Sequence, residues 1–230
     1  MAKIDLREAM STLRAVRRLR PEAIPEEILG RVLEAASWAP TGGNAQPWRV
    51  VVVRDRDKMT ELGLLYSKGW YAYARSHRAL IADAPEAVRI SSEKMFAAGD
   101  YLADHFSQTP VLLVFCFNPK NMAITDAKLD RVSVVGGASI YTAVQNTLLA
   151  CRGEGLGCVL TTLLCACEDE VRRLLEIPEP WGTAAAIPIG YPVLGGHGPI
   201  SRRPVEKLAF RDTWGTAYAP AVAKPASTGS

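Results

Sequence analysis

The sequence predicts an α+β fold, within the wider α/β class, and three observations lead there. Stretches with helical periodicity alternate along the chain with short apolar runs of strand length. Two of those runs, Arg49–Arg54 (R-V-V-V-V-R) and Pro110–Phe117 (P-V-L-L-V-F-C-F), are too short for helices and too continuously apolar for half-exposed strands, so both are expected inside a sheet. No repeat and no Pro/Ser/Gly-rich linker interrupts the middle of the 230 residues. One domain over residues 1–216 is therefore expected, with 66–108 as a helical lid and 217–230 as a disordered Ala/Pro/Ser-rich tail.

Taken in order, Asp5–Arg18 should be the first helix. Asp5 and Glu8 have capping-box spacing, Leu6, Met10 and Leu13 form an apolar stripe, and the Arg20-Pro21 step ends it. Its end carries Arg14, Arg17, Arg18 and Arg20; Arg14 and Arg17, three apart, would share a face and reach one phosphate, or simply decorate a helix C-terminus. Ile24–Trp38 reads as a helix, with Pro25 suited to the first position, Glu26 and Glu27 in the first turn, and Ile28, Leu29, Val32, Leu33 and Ala36 on one face. Lys58–Ala103 reads as two or three helices, in which Trp70, Tyr71, Tyr73 and Phe96 could stack on an aromatic ligand or simply pack. Asn121–Arg131 is expected as loop. Ser139–Cys151 is apolar nearly all round and so buried, in a domain centre or a subunit interface. Gly157–Leu164 should be a strand, Glu168–Leu175 a short helix, 177–180 a stiff loop and Ala184–Ile189 the last core strand.

Composition narrows the function classes. Hydrophobic residues make up 48% and charged ones 22%, which suits a globular chain with a sizeable core. A net charge of +3 is too mild and too scattered for nucleic-acid binding. No apolar run approaches the ~18 residues of a membrane span. The N-terminus lacks the apolar core of a signal peptide, and the five cysteines then read as reduced thiols, so a cytoplasmic protein is expected. The three histidines show no ligand spacing, so no metal site is expected, and Cys165 with Cys167 cannot complete one. Neither a Walker loop, nor G-x-S-x-G, nor G-x-G-x-x-G after a strand is present.

What remains is the stretch Pro40–Trp48, P-T-G-G-N-A-Q-P-W, between a helix and a strand. Gly42 and Gly43 allow a tight turn or a close approach to a ligand. Thr41, Asn44 and Gln46 offer several uncharged donors and acceptors, a set that suits a flat heterocycle with imide-like edges. The same composition also makes an ordinary Gly-Gly loop.

At four places the chain resembles the nitroreductase family of FMN enzymes: L-R-A-V-R-R-L-R-P-E-A-I-P, A-S-W-A-P-T-G-G-N-A-Q-P-W-R, Q-N-T-L-L-A-C-R-G-E-G-L-G and I-P-I-G-Y-P. The resemblance implies a three-layer α-β-α sandwich around a mostly antiparallel sheet, in an intertwined homodimer with FMN at the subunit interface. It places Arg14 and Arg17 at the FMN phosphate and ribityl chain. Ala15 stands where a serine is usual, and Leu13, in place of an arginine, can offer only its backbone. Pro40 and Thr41 fall beside the ring, and Asn44, helped by Gln46, at its pyrimidine edge. Thr161, Thr162 and Leu163, where Gly-Gly is frequent, are the candidates for a backbone N–H against flavin N5. Arg203, with Arg202 as its rival, matches an arginine that returns to the phosphate.

The implied activity is a two-step transfer of electrons from NADH or NADPH through bound FMN to a small conjugated acceptor: a nitroaromatic, a quinone or an enone. No acid–base side chain is expected to be indispensable, since the cofactor carries the chemistry. The alternatives are a flavin-binding protein without NAD(P)H turnover, flavin fragmentation and reductive dehalogenation.

Overall fold

A computed structural model of the chain describes residues 4–218, which fall into two compact units divided between Pro199 and Ile200. In the first unit the elements run α1 (Leu6–Thr12), β1 (Leu19–Arg20), α2 (Glu26–Ser37), β2 (Trp48–Val53), α3 (Arg56–Leu80), α4 (Glu86–His105), β3 (Val111–Phe117), α5 (Ala138–Gly153), β4 (Gly157–Cys158), α6 (Glu168–Leu175) and β5 (Gly182–Pro192). The sheet order is β1-β5-β3-β2, β4 also pairs with β5, and each of these pairings is antiparallel.

The alternation of side chains along β3 separates two apolar layers. Val111, Leu113 and Phe115 pack with Leu29, Val32 and Ala36 of α2 and with Ala143, Val144 and Cys151 of α5. Leu112, Val114 and Cys116 pack with residues of α3, α4 and α6, among them Leu62, Tyr66, Leu102 and Val171. A sheet covered on both faces by helices is the expected three-layer sandwich. The continuous apolar run of β3 has this cause, because both of its faces are dry.

Several helix ends follow from local chemistry. The Asp5 carboxylate caps α1 by accepting from the backbone N–H of Arg7 (2.7 Å) and Glu8 (3.1 Å). Asp55 does the same for α3 at Lys58 N–H, 2.8 Å. Helix α6 spans the residues expected of it, with three acidic residues in its first turn and Arg172 and Arg173 in its last. The region expected as two or three helices is the α3–α4 hairpin.

Four expectations are corrected. The first helix stops at Thr12, not Arg18. Leu13 turns extended, the Val16 N–H bonds the Cys158 carbonyl at 2.9 Å, and Leu19 and Arg20 pair with Pro192 and Tyr191. These long-range pairings satisfy the backbone as a helix would and also bury Val16. Gly157 permits the approach: a Cβ there would lie 2.6 Å from Val16 Cγ1. Second, β2 is an edge strand, with Arg49 and Val52 exposed, because among the described residues only β3 pairs with it. Third, the strand expected over Gly157–Leu164 is only the two residues of β4 plus a bridge from Thr161 to Ala186, after which Leu163–Cys167 winds into a 3-10 turn. Fourth, the last strand is longer than expected and almost wholly buried.

In the second unit a 3-10 turn at Val205–Lys207 precedes a bridge between Phe210 and Ala217, and the Phe210 and Trp214 rings meet at 4.8 Å. The rest of the tail expected to be disordered, 219–230, lies outside the described residues. Among the described residues no helix is long and apolar enough to cross a membrane.

Candidate functional site

Because residues 13–18 are not helical, Arg14 and Arg17 do not share a helix face. The Arg14 guanidinium turns to the Pro199 carbonyl, donating from Nε at 2.9 Å and also from Nη2. Its backbone N–H donates to His197 Nδ1 at 3.4 Å, while His197 Nε2 meets the Leu156 carbonyl at 2.9 Å. That pattern fits a neutral imidazole with its proton on Nε2, and burial holds the His197 pKa down. Leu13 is half-buried and Ala15 exposed.

Arg17 is placed differently. It is half-buried and has no hydrogen bond or ion pair among the described residues. It lines a cavity of ≈ 240 Å³ together with Thr161, Thr162, Leu163, Tyr66, Trp70 and Tyr73. Two segments nearly 150 residues apart in sequence therefore meet at one opening.

The three threonine–leucine candidates differ in what their backbone N–H groups already do. The Thr161 N–H donates to Ala186 O at 2.9 Å within the sheet. The Leu163 N–H donates to Thr161 Oγ1 at 3.3 Å. The Thr162 N–H has no acceptor among the described residues, and Thr162 is exposed. Thr162 also lines a second cavity of ≈ 590 Å³, whose walls include Phe117, Met122, Ile124, Ile140, Tyr141 and Cys165 and carry no charged side chain. Burial raises the Cys165 pKa, so its thiol stays protonated.

The amide-bearing loop docks on α5. Ser139 Oγ accepts the Gly42 N–H at 3.1 Å, and Thr142 Oγ1 donates to the Pro40 carbonyl at 3.2 Å. Within it, the Gln46 N–H donates to Thr41 Oγ1 at 3.0 Å, and the Gln46 side-chain amide donates to Asn44 Oδ1 at 3.1 Å. Gly43, Asn44 and Gln46 all have positive φ (56°, 55° and 46°). Left-handed backbone at two non-glycine positions is a cost that a plain connection would avoid. Pro40, Asn44 and Gln46 are exposed. Among the described residues this loop shares no hydrogen bond with Arg17 or Thr161–Leu163, and it contributes nothing to the walls of these two cavities. Arg202 and Arg203 belong to the second unit, where both are exposed and Arg202 donates to the Ser201 carbonyl at 2.7 Å.

Two of the aromatics flagged as stacking candidates, Trp70 and Tyr73, do line the Arg17 cavity. Tyr71 instead donates its hydroxyl to Asp104 at 2.6 Å, and Phe96 is buried beneath the Arg78 guanidinium at 4.7 Å. Tyr66 and His197 were missed. Tyr66 was legible as the first of three aromatics at positions 66, 70 and 73, one face of a helix; nothing in the sequence connects His197 to Arg14.

Residues 12–191 match the model of the Nitroreductase family. The NADH dehydrogenase of Thermus thermophilus is 28% identical over 208 residues, covering 90% of this chain and 96% of that protein. The 5,6-dimethylbenzimidazole synthase of Rhodospirillum rubrum is 29% identical over 188 residues, covering 78% of each. Among solved structures, oxidised iodotyrosine deiodinase bound to FMN and 3-iodo-L-tyrosine superposes with a TM-score of 0.63 at 24% identity, over 91% of this chain and 99% of that one, which shows a shared fold.

Proposed function

Since this chain belongs to the nitroreductase family, we propose that it is an FMN-dependent oxidoreductase that passes electrons from NADH or NADPH to a small, neutral, conjugated acceptor such as a nitroaromatic, a quinone or an enone. The observation that carries this reading is the opening where a half-buried Arg17 and the Thr162 N–H, both unpaired among the described residues, lie together. A cation without a counter-ion and a backbone donor without an acceptor fit a ligand with negative charge and ring acceptors, as FMN has.

Bound FMN supplies the electron-transfer chemistry; the protein orients and stabilises. Thr162 offers its N–H toward the ring, since the amides of Thr161 and Leu163 are engaged elsewhere. Arg17 faces the negative charge of the bound group, and such charge is stabilised most when the donor is already in place. Arg14, whose guanidinium is held on the Pro199 carbonyl, does not line this opening. Trp70 and Tyr73 give the opening an aromatic wall. The larger cavity on the other side of Thr162 would take the acceptor, and its uncharged lining favours a neutral molecule over a zwitterionic or phosphorylated one.

No residue of the loop at Pro40–Gln46 lines the Arg17 opening of its own chain. We propose that it closes over the opening of a second copy, so that the homodimer completes two sites with Thr41, Asn44 and Gln46 at the ring edge. Its docking on α5 and its left-handed backbone support a loop built for recognition.

The test is anaerobic mixing of the yellow protein with NADH or NADPH. Rapid loss of the yellow colour, restored by a quinone or nitroaromatic, is expected. A colour that persists would refute turnover, and a protein that takes up no FMN would refute the reading altogether.

A further inference from the structure

We infer that the Tyr66 hydroxyl is a third donor, beside Arg17 and Thr161, to the negatively charged part of the ligand in the Arg17 cavity. The inference rests on the flavin reading above and adds a residue to it.

Tyr66 lies on α3, and its residue surface is only 2% exposed, yet it forms part of the cavity wall with Arg17 and Thr161. Its ring stacks on Phe106 at 4.4 Å between centroids, with an interplanar angle of 22°. Stacking on Phe106 and near-complete burial leave the phenol little freedom, so its hydroxyl is placed before any ligand arrives. The Thr161 hydroxyl lies within its reach and the Arg17 charge beside it. Burial pushes the Tyr66 pKa up to about 12, so the phenol keeps its proton through the neutral range and can donate it. Thr161 Oγ1 already accepts from the Leu163 N–H, which leaves the Thr161 proton free to be directed elsewhere. Arg17, Tyr66 and Thr161 thus converge from three elements with one cation, two hydroxyl donors and no carboxylate on the wall. Such a set matches an anionic oxygen or nitrogen and repels nothing about it. Ala15, beside Arg17 in sequence, offers no hydroxyl, so the polar complement to Arg17 comes from α3.

Two parts of the same ligand could supply the charge: the phosphate, or the ring once it is reduced. Tyr66→Phe separates them, because it removes one oxygen and keeps the packing on Phe106. Affinities for FMN and for riboflavin are measured for wild type and variant, along with the midpoint potential of the bound flavin. A phosphate source predicts roughly tenfold weaker FMN binding with riboflavin unchanged, the scale of one lost hydrogen bond to a charged group. A ring source predicts an unchanged FMN-to-riboflavin ratio and a lower midpoint potential, since the reduced anion loses a donor. If flavin binds the wild type and neither quantity moves in the variant, or if both flavins weaken equally with no change in potential, the inference is overturned while the flavin reading stands. If the wild type binds neither flavin, the flavin reading fails, and inorganic phosphate decides the donor set: a rise in melting temperature that Tyr66→Phe loses upholds it, and no rise overturns it.

Discussion

Replacing Gly99 by alanine sets two physical effects of opposite sign against each other. Gly99 lies within α4, where alanine is favoured over glycine by about 1 kcal/mol from backbone entropy alone. Against this, a Cβ at Gly99 would fall 1.9 Å from Trp70 Cζ2 and 2.1 Å from Cη2, where ordinary contact begins at 3.4 Å. The indole cannot easily withdraw: it is 5% exposed, and its Nε1 donates to Asp100 Oδ1 at 2.7 Å. Overpacking costs about 1–3 kcal/mol, and losing a hydrogen bond to a carboxylate about 1.5–3 kcal/mol more. The net expectation is a loss of roughly 2–5 kcal/mol, or a fall of about 1–2 M in the urea midpoint for a slope of about 2–3 kcal/mol/M. Equilibrium unfolding in urea measures it, with Trp fluorescence reporting whether the indole has left its site. A midpoint that stays put or rises, as helix propensity alone would give, refutes the account of the Trp70–Gly99 contact.

Two further changes probe the loops. Asn44→Ala removes the amide and also forces a left-handed backbone on alanine, at about 1 kcal/mol, whereas Asn44→Gly removes the amide without that strain; both should lower flavin retention after gel filtration, and only the alanine should lower the melting temperature. Equal melting temperatures would show that the φ of 55° is not maintained in solution. Asp126 accepts from Ser133 Oγ (2.6 Å), the Val134 N–H (3.0 Å) and Arg131 Nη1 (2.7 Å), and these bonds, led by Ser133, hold its carboxyl well below the usual range. A depressed carboxylate stabilises the folded form above its unfolded pKa of about 3.9 and loses that contribution as the pH falls below it. Amide protection over residues 118–137, taken relative to the intrinsic exchange rate at each pH, should therefore be high near neutrality and fall below about pH 4. In Asp126→Asn it should be low at both, and persistent protection there would refute the role given to the carboxylate.

What could be read in advance depended on where each element gets its instructions. Helix α6 and strand β3 carry theirs locally, in a charge gradient and in a dense apolar run, and both lie where the sequence put them. The end of α1 does not. Its stop at Thr12 follows from Cys158, Tyr191 and Pro192, partners far along the chain that no local pattern in Leu13–Arg20 announces. The interior reading of β2 failed for the same reason, since four valines in a row specify a strand and say nothing of how many neighbours it will have. At the candidate site the residue types were legible and their allegiances were not. Arg14 and Arg17 looked equivalent, yet one is spent on Pro199 and the other has no partner among the described residues. Among Thr161, Thr162 and Leu163, only the pattern of occupied amides singles out Thr162.

The position of β5 has a consequence for how the protein is made. Strands β1, β3 and β4 all hydrogen-bond to it, yet residues 182–192 leave the ribosome after every one of them. Until then the nascent chain carries β3, seven apolar residues in a row, with one backbone edge open and no mate for it. Vectorial synthesis cannot close this sheet early, so folding must wait for its last strand. A stalled or truncated polypeptide lacking β5 would be a sticky hairpin of β2 and β3, the kind of species that holdase chaperones are recruited to shield.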